Sequence, residues 1–240
     1  MKHTFIIAAI LCFSLSLQAQ LPGNLKSAVN NVLGSKDSSL KTTDVVSGLK
    51  DALKVGTERS TTQLSAVDGY FKNAAIKILM PPEAQKAENT LRKAGLGSYV
   101  DSTIKSMNRA AEDAAKSATP IFVDAIKQMT FEDAWNILRG SDSAATLYLR
   151  NKTSPALMAA FKPIIDQSLA KIDATKYWNS TFSTYNKLPF VKKVNPDLAA
   201  YVTQKALWGI FYQVALEEQK IRKDPAAQTT DILKKVFGGK

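Results

Sequence analysis

The side chains best suited to catalysis, cysteine and histidine, are nearly absent from this sequence. The chain of 240 residues contains one of each, Cys12 and His3, and both lie close to its amino terminus. The rest of the chain therefore cannot form a Ser-His-Asp triad, a cysteine nucleophile or a structural zinc site. The composition predicts a protein that is not an enzyme and that holds neither a metal ion nor a cofactor.

Carboxylates are the remaining side chains with hydrolytic chemistry. A glycosidase needs two acids about 5–9 Å apart, and the candidates, chosen only by abundance, are Glu112, Asp124, Glu132, Asp133 and Asp142. Glu132, Asp133 and Asp142 lie where predicted helix N-termini favour negative charge, which is a structural role. A carboxylate-dependent hydrolase is therefore the last of three functional hypotheses.

Two short segments have the residue types of an anion-binding site. Asn108, Arg109 and Glu112 lie within about one helical turn, so Arg109 either pairs with Glu112 or binds an anionic ligand, and the spacing favours the pair. Arg150, in the segment Arg150-Asn-Lys-Thr153, offers a forked donor to a phosphate or carboxylate. The alternative for this second segment is a helix-end cap.

Lys205 lies in the most apolar predicted helix of the chain. A buried lysine must be paired, have a lowered pKa or extend its ammonium group to water. We predict that an acid such as Asp124 or Glu112 pairs with it. The predicted ligand-binding residues are thus Arg109, Arg150, Lys205, Asn108, Glu112 and Asp124.

The amino terminus has the layout of a secretory signal peptide. A basic start, Met1-Lys2-His3, precedes the apolar run Thr4 to Leu17, and Ala19 is the small residue needed at the cut. We predict a signal peptide over residues 1–19, with cleavage after Gln20 as the alternative and an uncleaved anchor as the competing interpretation. Cys12 follows Leu11 rather than a small residue, which disfavours a lipoprotein signal. Such a signal predicts export of the mature chain from the cytoplasm.

The chain is basic, with a formal net charge of +11, and the excess is concentrated in residues 151–240. In an exported protein the expected partners are anionic lipid or an envelope polymer, or an envelope protein, rather than nucleic acid. A well-solvated basic surface is the simpler explanation. No stretch after the signal peptide approaches the length of an apolar membrane span.

Helical periodicity dominates the rest of the sequence. After a flexible leader over residues 20–42, we predict one helical domain over residues 43–240. Its first helix begins near Thr43 and ends near Thr57, because Gly48 and Gly56 weaken the pattern. Residues 66–82 are the least helical part, and they include a possible extended segment near residues 75–80.

Local signals then divide the chain into short helices. Gly95 ends a helix that begins at Glu83, and Ser98 caps the next one. Pro120 opens a helix over 121–129, and Thr130 with Asp133 forms a capping box. Ser141-Asp142 caps a further helix, and Pro155 begins another at its first position.

The longest predicted helix, about residues 196–222, begins at Asn195-Pro196-Asp197 and is apolar on nearly every side, which predicts a central position. Near its end, Glu217/Lys220 and Glu218/Arg222 have the spacing of solvent-exposed ion pairs. A short closing helix follows over residues 230–237. The sequence thus predicts an all-α, compact single-domain array of short helices packed around one long buried C-terminal helix.

Several segments resemble a bacterial family of exported proteins, the domain of unknown function numbered 4197. The segments are Met107–Glu112, Phe122–Thr130, Ser141–Thr146, Arg150–Thr153, Tyr201–Leu207, Glu217-Glu218, Ile221-Arg222, Pro225 and Leu233–Phe237. One departure is Trp208, where the family pattern suggests a small polar or acidic residue before Gly209. Together with the predicted export, the resemblance implies a bacterial envelope location, in the periplasm or at the periphery of the outer membrane of a Gram-negative bacterium. It brings no activity or catalytic residues.

Two binding hypotheses come before the hydrolase. The first is a periplasmic protein that binds an amphipathic or anionic ligand such as a lipid. The second is a structural or partner-binding envelope protein with a solid core, since aromatic and Met side chains more often fill a core than line a ligand site; those of this chain include Trp135, Tyr148, Met158, Trp178, Tyr185, Trp208 and Tyr212. An apolar cavity with Arg or Lys at its mouth favours the first hypothesis, and a filled core with an exposed apolar patch favours the second.

Overall fold

Helices account for all the regular structure in the part of the chain that the computed structural model describes. That part comprises residues 42–171 and 197–224, with the isolated residues 178, 183, 186, 187, 189, 193, 227, 228 and 234. The predicted signal peptide over 1–19, the leader up to residue 41 and nearly all of the closing helix over 230–237 lie outside these residues. The all-α class predicted from the sequence is confirmed for the described ranges.

The described part of the chain contains seven α-helices and one 3-10 turn. They are α1 (Thr42–Ser65), a 3-10 turn (Pro82–Ala84), α2 (Gln85–Lys93), α3 (Gly97–Ala115), α4 (Ala118–Lys127), α5 (Phe131–Arg139), α6 (Ala144–Ala170) and α7 (Leu198–Lys223). Helices α6 and α7 pack against each other and both contact α3. Helix α1 packs on α7 and α4, while α5 lies against α1 and α6. Within these ranges, no helix combines the length and apolar character that a membrane crossing requires.

The long C-terminal helix is confirmed with nearly the predicted bounds. Asp197 is its N-cap, and the Asp197 side chain accepts a hydrogen bond from the Ala200 backbone N–H at 2.8 Å. Helix α7 is not alone in its length, however: it has 26 residues, whereas α6 has 27 and α1 has 24. The long C-terminal helix therefore packs in the core with two other long helices, α1 and α6, and with α3.

Helix α1 continues beyond Thr57, so the predicted end was wrong. A Cβ atom at Gly56 would lie 3.5 Å from Ile221 Cδ1, an ordinary van der Waals distance, so α7 packs directly beside this part of α1. The hydroxyls of Thr57 and Ser60 each donate to a backbone carbonyl one turn earlier, at 2.8 Å. Both hydroxyls therefore have their hydrogen-bond partners within α1. Tertiary packing stabilises this helix although its sequence pattern is weak.

Helix α6 is continuous through both of its prolines, Pro155 and Pro163, so the predicted start at Pro155 was also wrong. A proline inside a helix costs about 3 kcal/mol. Against this cost stands a stripe of buried side chains at every fourth position: Ala145, Leu149, Thr153, Leu157, Phe161, Ile165 and Leu169. Each large apolar member contributes about 1.5–3 kcal/mol on burial, which outweighs two prolines.

The start of α6 is capped from a distant part of the sequence and not by the predicted Ser141-Asp142. Glu218 of α7 accepts hydrogen bonds from the backbone N–H groups of Ala145 and Thr146 at 3.0 and 2.8 Å, and from the Thr146 hydroxyl at 2.8 Å. Glu218 also pairs with Arg222 at 2.9 Å, and Arg222 donates to the Ile137 carbonyl in α5. The predicted pair exists, but it is buried, since the two side chains are only 4% and 7% exposed.

Two predicted helix boundaries are confirmed. Gly95 has a left-handed backbone with φ of 79° and directly follows α2 and Ala94. Thr130 and Asp133 form the capping box at the start of α5, and these hydrogen bonds hold the pKa of Asp133 below its usual range. Ser98, by contrast, does not cap α3, because that helix already begins at Gly97.

Candidate functional site

The segment between α1 and the 3-10 turn, residues 66–81, is irregular yet partly buried. It turns sharply at Asp68, which has a left-handed backbone with φ of 72°. At Gly69 a Cβ atom would lie 2.5 Å from the Gln63 carbonyl oxygen, so this close turn requires glycine. Tyr70, Ile76 and Ile78 are buried behind the turn. No β-strand forms near residues 75–80, because this segment pairs with a side chain and not with another backbone strand.

Asn108 of α3 supplies that pairing. The Ile78 N–H donates to Asn108 Oδ1 at 2.9 Å, and Asn108 Nδ2 donates to the Ile78 carbonyl at 2.8 Å. Nδ2 also donates to the Ile104 carbonyl at 2.8 Å. The fully buried amide of Asn108 thus satisfies both polar groups of a buried backbone unit, as a neighbouring strand would.

Glu112, one turn further along α3, holds the start of the same segment. Glu112 Oε1 accepts the backbone N–H groups of Tyr70 and Phe71, both at 3.1 Å. Glu112 Oε2 accepts from Arg109, whose other terminal nitrogen donates to Asp68 Oδ1 at 2.6 Å. The pairing of Arg109 with Glu112 that the helical spacing favoured is therefore present.

Both terminal nitrogens of Arg109 donate hydrogen bonds to carboxylates, so its guanidinium group is already occupied by contacts at the turn. Hydrogen bonds from Lys72 and Arg109 hold the pKa of Asp68 below its usual range. Asn108, Arg109 and Glu112 thus act together as positioning residues for residues 66–81. Direct binding of a ligand by these three residues stays a prediction.

Tyr70 joins this segment to α7. Its hydroxyl donates to the Ala206 carbonyl at 2.8 Å, and its ring lies against Gly209. Burial raises the pKa of the Tyr70 hydroxyl, and the negative charge of Glu112 adds to the effect. The contact requires glycine, since a Cβ atom at position 209 would lie 2.5 Å from Tyr70 Cε1.

We expect Gly209→Ala to lower the free energy of unfolding by about 1–3 kcal/mol, because the added methyl overpacks a fully buried ring. In an open helix the same change would raise stability by up to about 1 kcal/mol. Gly56→Ala is the matched control, since its Cβ would meet Ile221 at an ordinary 3.5 Å. Urea titration of both variants checks the prediction, and an increase in stability for Gly209→Ala would contradict the packing described here.

The segment held by α3 forms one wall of an open groove of about 550 Å3, and the other wall is a face of α7. We call this the Trp208 groove. It is lined by Ala75, Ile76, Lys77, Ile78, Leu79, Met80, Pro82, Gln85, Tyr201, Gln204, Lys205 and Trp208. The apolar surface faces solvent, because Leu79 is 55% exposed and Trp208 is 49% exposed.

The charged side chains lining the Trp208 groove are both lysines. Lys77 Nζ lies 4.2 Å from the ring centroid of Phe71, and Lys205 Nζ lies 5.8 Å from that of Tyr201. The Tyr201 hydroxyl donates to the Leu79 carbonyl at 3.0 Å and so links the two walls. Burial raises the pKa of Tyr201, with a smaller contribution from Glu83. No acidic residue is among those that line the groove in the described structure.

Lys205 is exposed, and its predicted burial and pairing are wrong. Glu112 is held by Arg109, and Asp124 pairs at the surface with Lys127 at 3.7 Å. The physical reason is helical spacing: residues 201, 205, 208 and 212 share the face of α7 that the other described helices leave uncovered. On this face the Trp208 and Tyr212 rings stack, with centroids 5.5 Å apart.

The two other predicted residues lie away from the Trp208 groove. Arg150 is exposed on α6, with its guanidinium carbon 5.3 Å from the ring centroid of Phe211. Asp124 lines a separate pocket of about 340 Å3 with Asp133, Tyr148 and Lys152. Thus the structure brings Asn108, Arg109 and Glu112 together and places Lys205 on the groove that these three residues support.

Sequence reasoning missed Lys77, Leu79 and Tyr201 as residues of the groove. The sequence does contain a signal for Tyr201: Tyr201, Lys205 and Trp208 have helical spacing, which places two aromatic rings and a cation on one helix face. The apolar run before Pro81 was also visible, but nothing local indicates that α3 holds this run against α7.

Four of the five candidate acids of the hydrolase hypothesis have other contacts. Glu112 is bound by Arg109 and by two backbone N–H groups, Asp124 by Lys127, Asp133 by the capping box, and Asp142 by Lys223 at 2.7 Å. Among the described residues, no group of three or more Cys, His, Asp or Glu side chains is placed to hold a metal ion.

These features define an all-α protein of packed helices, with an open groove that is apolar and cationic. The chain belongs to the family described as "Protein of unknown function (DUF4197)", whose model matches residues 39–238. The resemblance drawn from the sequence segments is thereby confirmed. No curated protein and no solved structure is similar enough to match the chain. The family description names no activity, so the groove is the feature of the described structure that best indicates a function.

Proposed function

We propose that this chain is a non-enzymatic, exported binding protein of the cell envelope, and that its Trp208 groove binds an amphipathic anionic ligand such as a lipid. The observation that carries this proposal is the lining of the groove. Leu79 and Trp208 offer exposed apolar surface, while Lys77 and Lys205 are its only charged residues in the described structure.

Each part of such a ligand has a counterpart in the groove. An aliphatic chain or ring lying on Leu79 and Trp208 removes apolar surface from water, which contributes about 25 cal/mol per Å2. A carboxylate or phosphate is attracted by the ammonium groups of Lys77 and Lys205. The volume of about 550 Å3 lies within the range of small-molecule sites. The groove is open, so a bound ligand would keep part of its surface in contact with solvent.

The proposed location follows from the sequence. The basic start, apolar run and Ala19 support export, and the family resemblance supports the periplasm, or the periphery of the outer membrane, of a Gram-negative bacterium as the destination. An anionic amphiphile is available in that compartment as an envelope lipid, and the net charge of +11 favours anionic partners.

A structural or partner-binding envelope protein is the second candidate function. The observation that favours it is the filled core: Tyr70, Phe122 and Phe161 are fully buried. The Trp208 groove then serves as an exposed apolar patch on a solid protein. A carboxylate-dependent hydrolase is less well supported, because Glu112, Asp133 and Asp142 already have the structural partners described above.

Native mass spectrometry of the protein, purified gently from its own envelope, tests the proposal directly. We expect a discrete extra mass that extracts as one lipid class, on a mature chain that begins at Gln20 or Leu21. A ligand-free mass, together with no binding of added dodecyl phosphate, would favour the partner-binding function instead.

Substitutions in the Trp208 groove test whether the ligand binds there. With monomeric dodecyl phosphate as the probe, we expect Trp208→Ala to weaken binding about tenfold through lost apolar contact. The double change Lys77→Ala and Lys205→Ala should weaken it by at least about tenfold, because two charge-assisted contacts are lost. The matched control replaces the exposed Lys116 and Lys127. Isothermal titration calorimetry gives the affinities, and equal losses in the control would mean that net charge, not the groove, attracts the probe.

A further inference from the structure

The α2–α3 hairpin, residues 85–99, exposes apolar side chains away from the lining of the Trp208 groove. Helix α2 has no buried residue, and its main contacts are with α3 and the preceding 3-10 turn. Leu91, Leu96 and Tyr99 are 38%, 42% and 71% exposed. Exposed apolar side chains that lie close together on a surface mark a contact site for a protein or a membrane.

The three side chains gather at the connection between the two helices. The Leu96 N–H donates to the Leu91 carbonyl at 2.9 Å, and the Gly95 N–H donates to the Arg92 carbonyl at 3.1 Å. This is the Schellman ending of a helix, a motif in which apolar residues at the positions of Leu91 and Leu96 are common. The Tyr99 N–H in turn donates to the Leu96 carbonyl at 3.1 Å. The local motif accounts for the two leucines, but it leaves Tyr99 uncovered.

Within the hairpin the cations Lys86, Arg92 and Lys93 outnumber the one acid, Glu88. Arg92 binds Glu88 at 2.9 Å and Asp101 at 2.8 Å. Three further cations on the hairpin and on α3 are exposed, and none of them has a carboxylate within ion-pair distance in the described part of the chain: Lys86, Lys93 and Lys105. An anionic surface therefore complements the hairpin.

We propose that the α2–α3 hairpin is a membrane-contact element, which inserts Leu91, Leu96 and Tyr99 into the interface of an anionic lipid bilayer. The aromatic ring of tyrosine with its polar hydroxyl suits the level of the headgroups. Lysines beside the inserted side chains are attracted by anionic lipid, and each strengthens binding about fivefold. Three side chains at a helix connection fall well short of the roughly 800 Å2 per partner that a standard protein interface buries, so a bilayer is the better fit.

Co-sedimentation of the full chain with phosphatidylcholine vesicles that contain roughly one third phosphatidylglycerol tests this inference. We expect the double change Leu96→Asp and Tyr99→Asp to weaken vesicle binding by at least about tenfold, because two apolar anchors become anions. Tyr99→Trp should retain binding. Lys86→Ala with Lys93→Ala should weaken it by at least about fivefold, and vesicles of pure phosphatidylcholine should bind less.

Leu147→Asp is the matched control, since Leu147 on α6 is 48% exposed and lies outside the hairpin. All these positions are on the surface, and unchanged thermal unfolding confirms that the variants fold. The inference is overturned if the wild-type chain does not bind the anionic vesicles, if the hairpin variant binds as the wild type does, or if Leu147→Asp is equally impaired. It does not rest on a ligand in the Trp208 groove, and Trp208→Ala should leave vesicle binding unchanged. Loss of vesicle binding in Trp208→Ala alone would assign the membrane contact to the groove and overturn the hairpin.

Discussion

Glu218→Ala is expected to lower the free energy of unfolding by about 3–5 kcal/mol. Glu218 is buried, and it joins three helices: it caps the start of α6, it pairs with Arg222 within α7, and Arg222 reaches a carbonyl in α5. Removing the carboxylate leaves a buried guanidinium group and two backbone N–H groups without their acceptor. Urea unfolding followed by circular dichroism measures the change.

Glu88→Ala is the matched control for Glu218→Ala. Glu88 pairs with Arg92 at the same i,i+4 spacing, but this pair lies at the surface. We expect a loss below about 1 kcal/mol for this variant. Similar losses for the two variants would show that burial and capping contribute nothing at Glu218, which would contradict the arrangement seen between α5, α6 and α7.

Glu112→Ala is expected to have an effect of similar size, about 3–5 kcal/mol, and to release the wall of the Trp208 groove. The buried Glu112 carboxylate accepts the N–H groups of Tyr70 and Phe71 and pairs with Arg109. Without it, the N–H groups of Tyr70 and Phe71 lose their acceptor, and the turn at Asp68 keeps its backbone hydrogen bonds and the contacts of Asp68 with Arg109 and Lys72. Hydrogen exchange should accelerate at Tyr70 and Phe71 in any variant that still folds, and binding of dodecyl phosphate should weaken.

Asp113→Ala is the control that tests whether the effect of Glu112→Ala comes from the contacts of Glu112 or only from the loss of a negative charge on α3. Asp113 is the next residue, and its carboxylate pairs at the surface with Lys116 at 3.0 Å. We expect a change below about 1 kcal/mol and unchanged exchange at Tyr70 and Phe71. If Glu112→Ala leaves the exchange of these two amides as slow as in the wild type, Glu112 does not hold the segment.

Helix boundaries set by short-range chemistry were predictable from the sequence. Gly95 ends α2 because a left-handed residue there costs a glycine little, and Thr130 with Asp133 caps α5 because the two side chains satisfy free N–H groups. The length of α7 could also be predicted, since apolar residues recur at helical spacing along the sequence that follows Asp197. These features depend on residues within a few positions of one another.

Boundaries that depend on distant partners were not predictable. Pro155 has the local signature of a helix start, yet α6 runs through it because a stripe from Ala145 to Leu169 is buried against other helices. Gly56 weakens the helix pattern near Thr57, yet α1 continues to Ser65 because its later residues, such as Ser60 and Leu64, are buried. In both cases tertiary burial outweighs a local penalty of a few kcal/mol.

In the candidate site too, some contacts could be predicted from the sequence and others could not. The spacing of Arg109 and Glu112 on one helix predicted their pairing, because residues three apart in a helix are neighbours. That Glu112 would also hold Tyr70 could not be read from the sequence, since the two lie far apart in the chain. Lys205 was assigned to the interior because its helix is apolar, whereas the uncovered face of α7 depends on which other helices pack beside it.

By itself the sequence determined the class of fold, the family, the long final helix and the near absence of cysteine and histidine, because each follows from composition or from local periodicity. Only the tertiary structure decided which polar residues are buried and which apolar ones are exposed. Glu218 and Glu112 are inside because backbone groups from distant segments need an acceptor, and Trp208 is outside because no other described helix covers its face of α7. Burial is a property of the assembled helices, and the groove exists only where their packing leaves α7 and residues 75–82 apart.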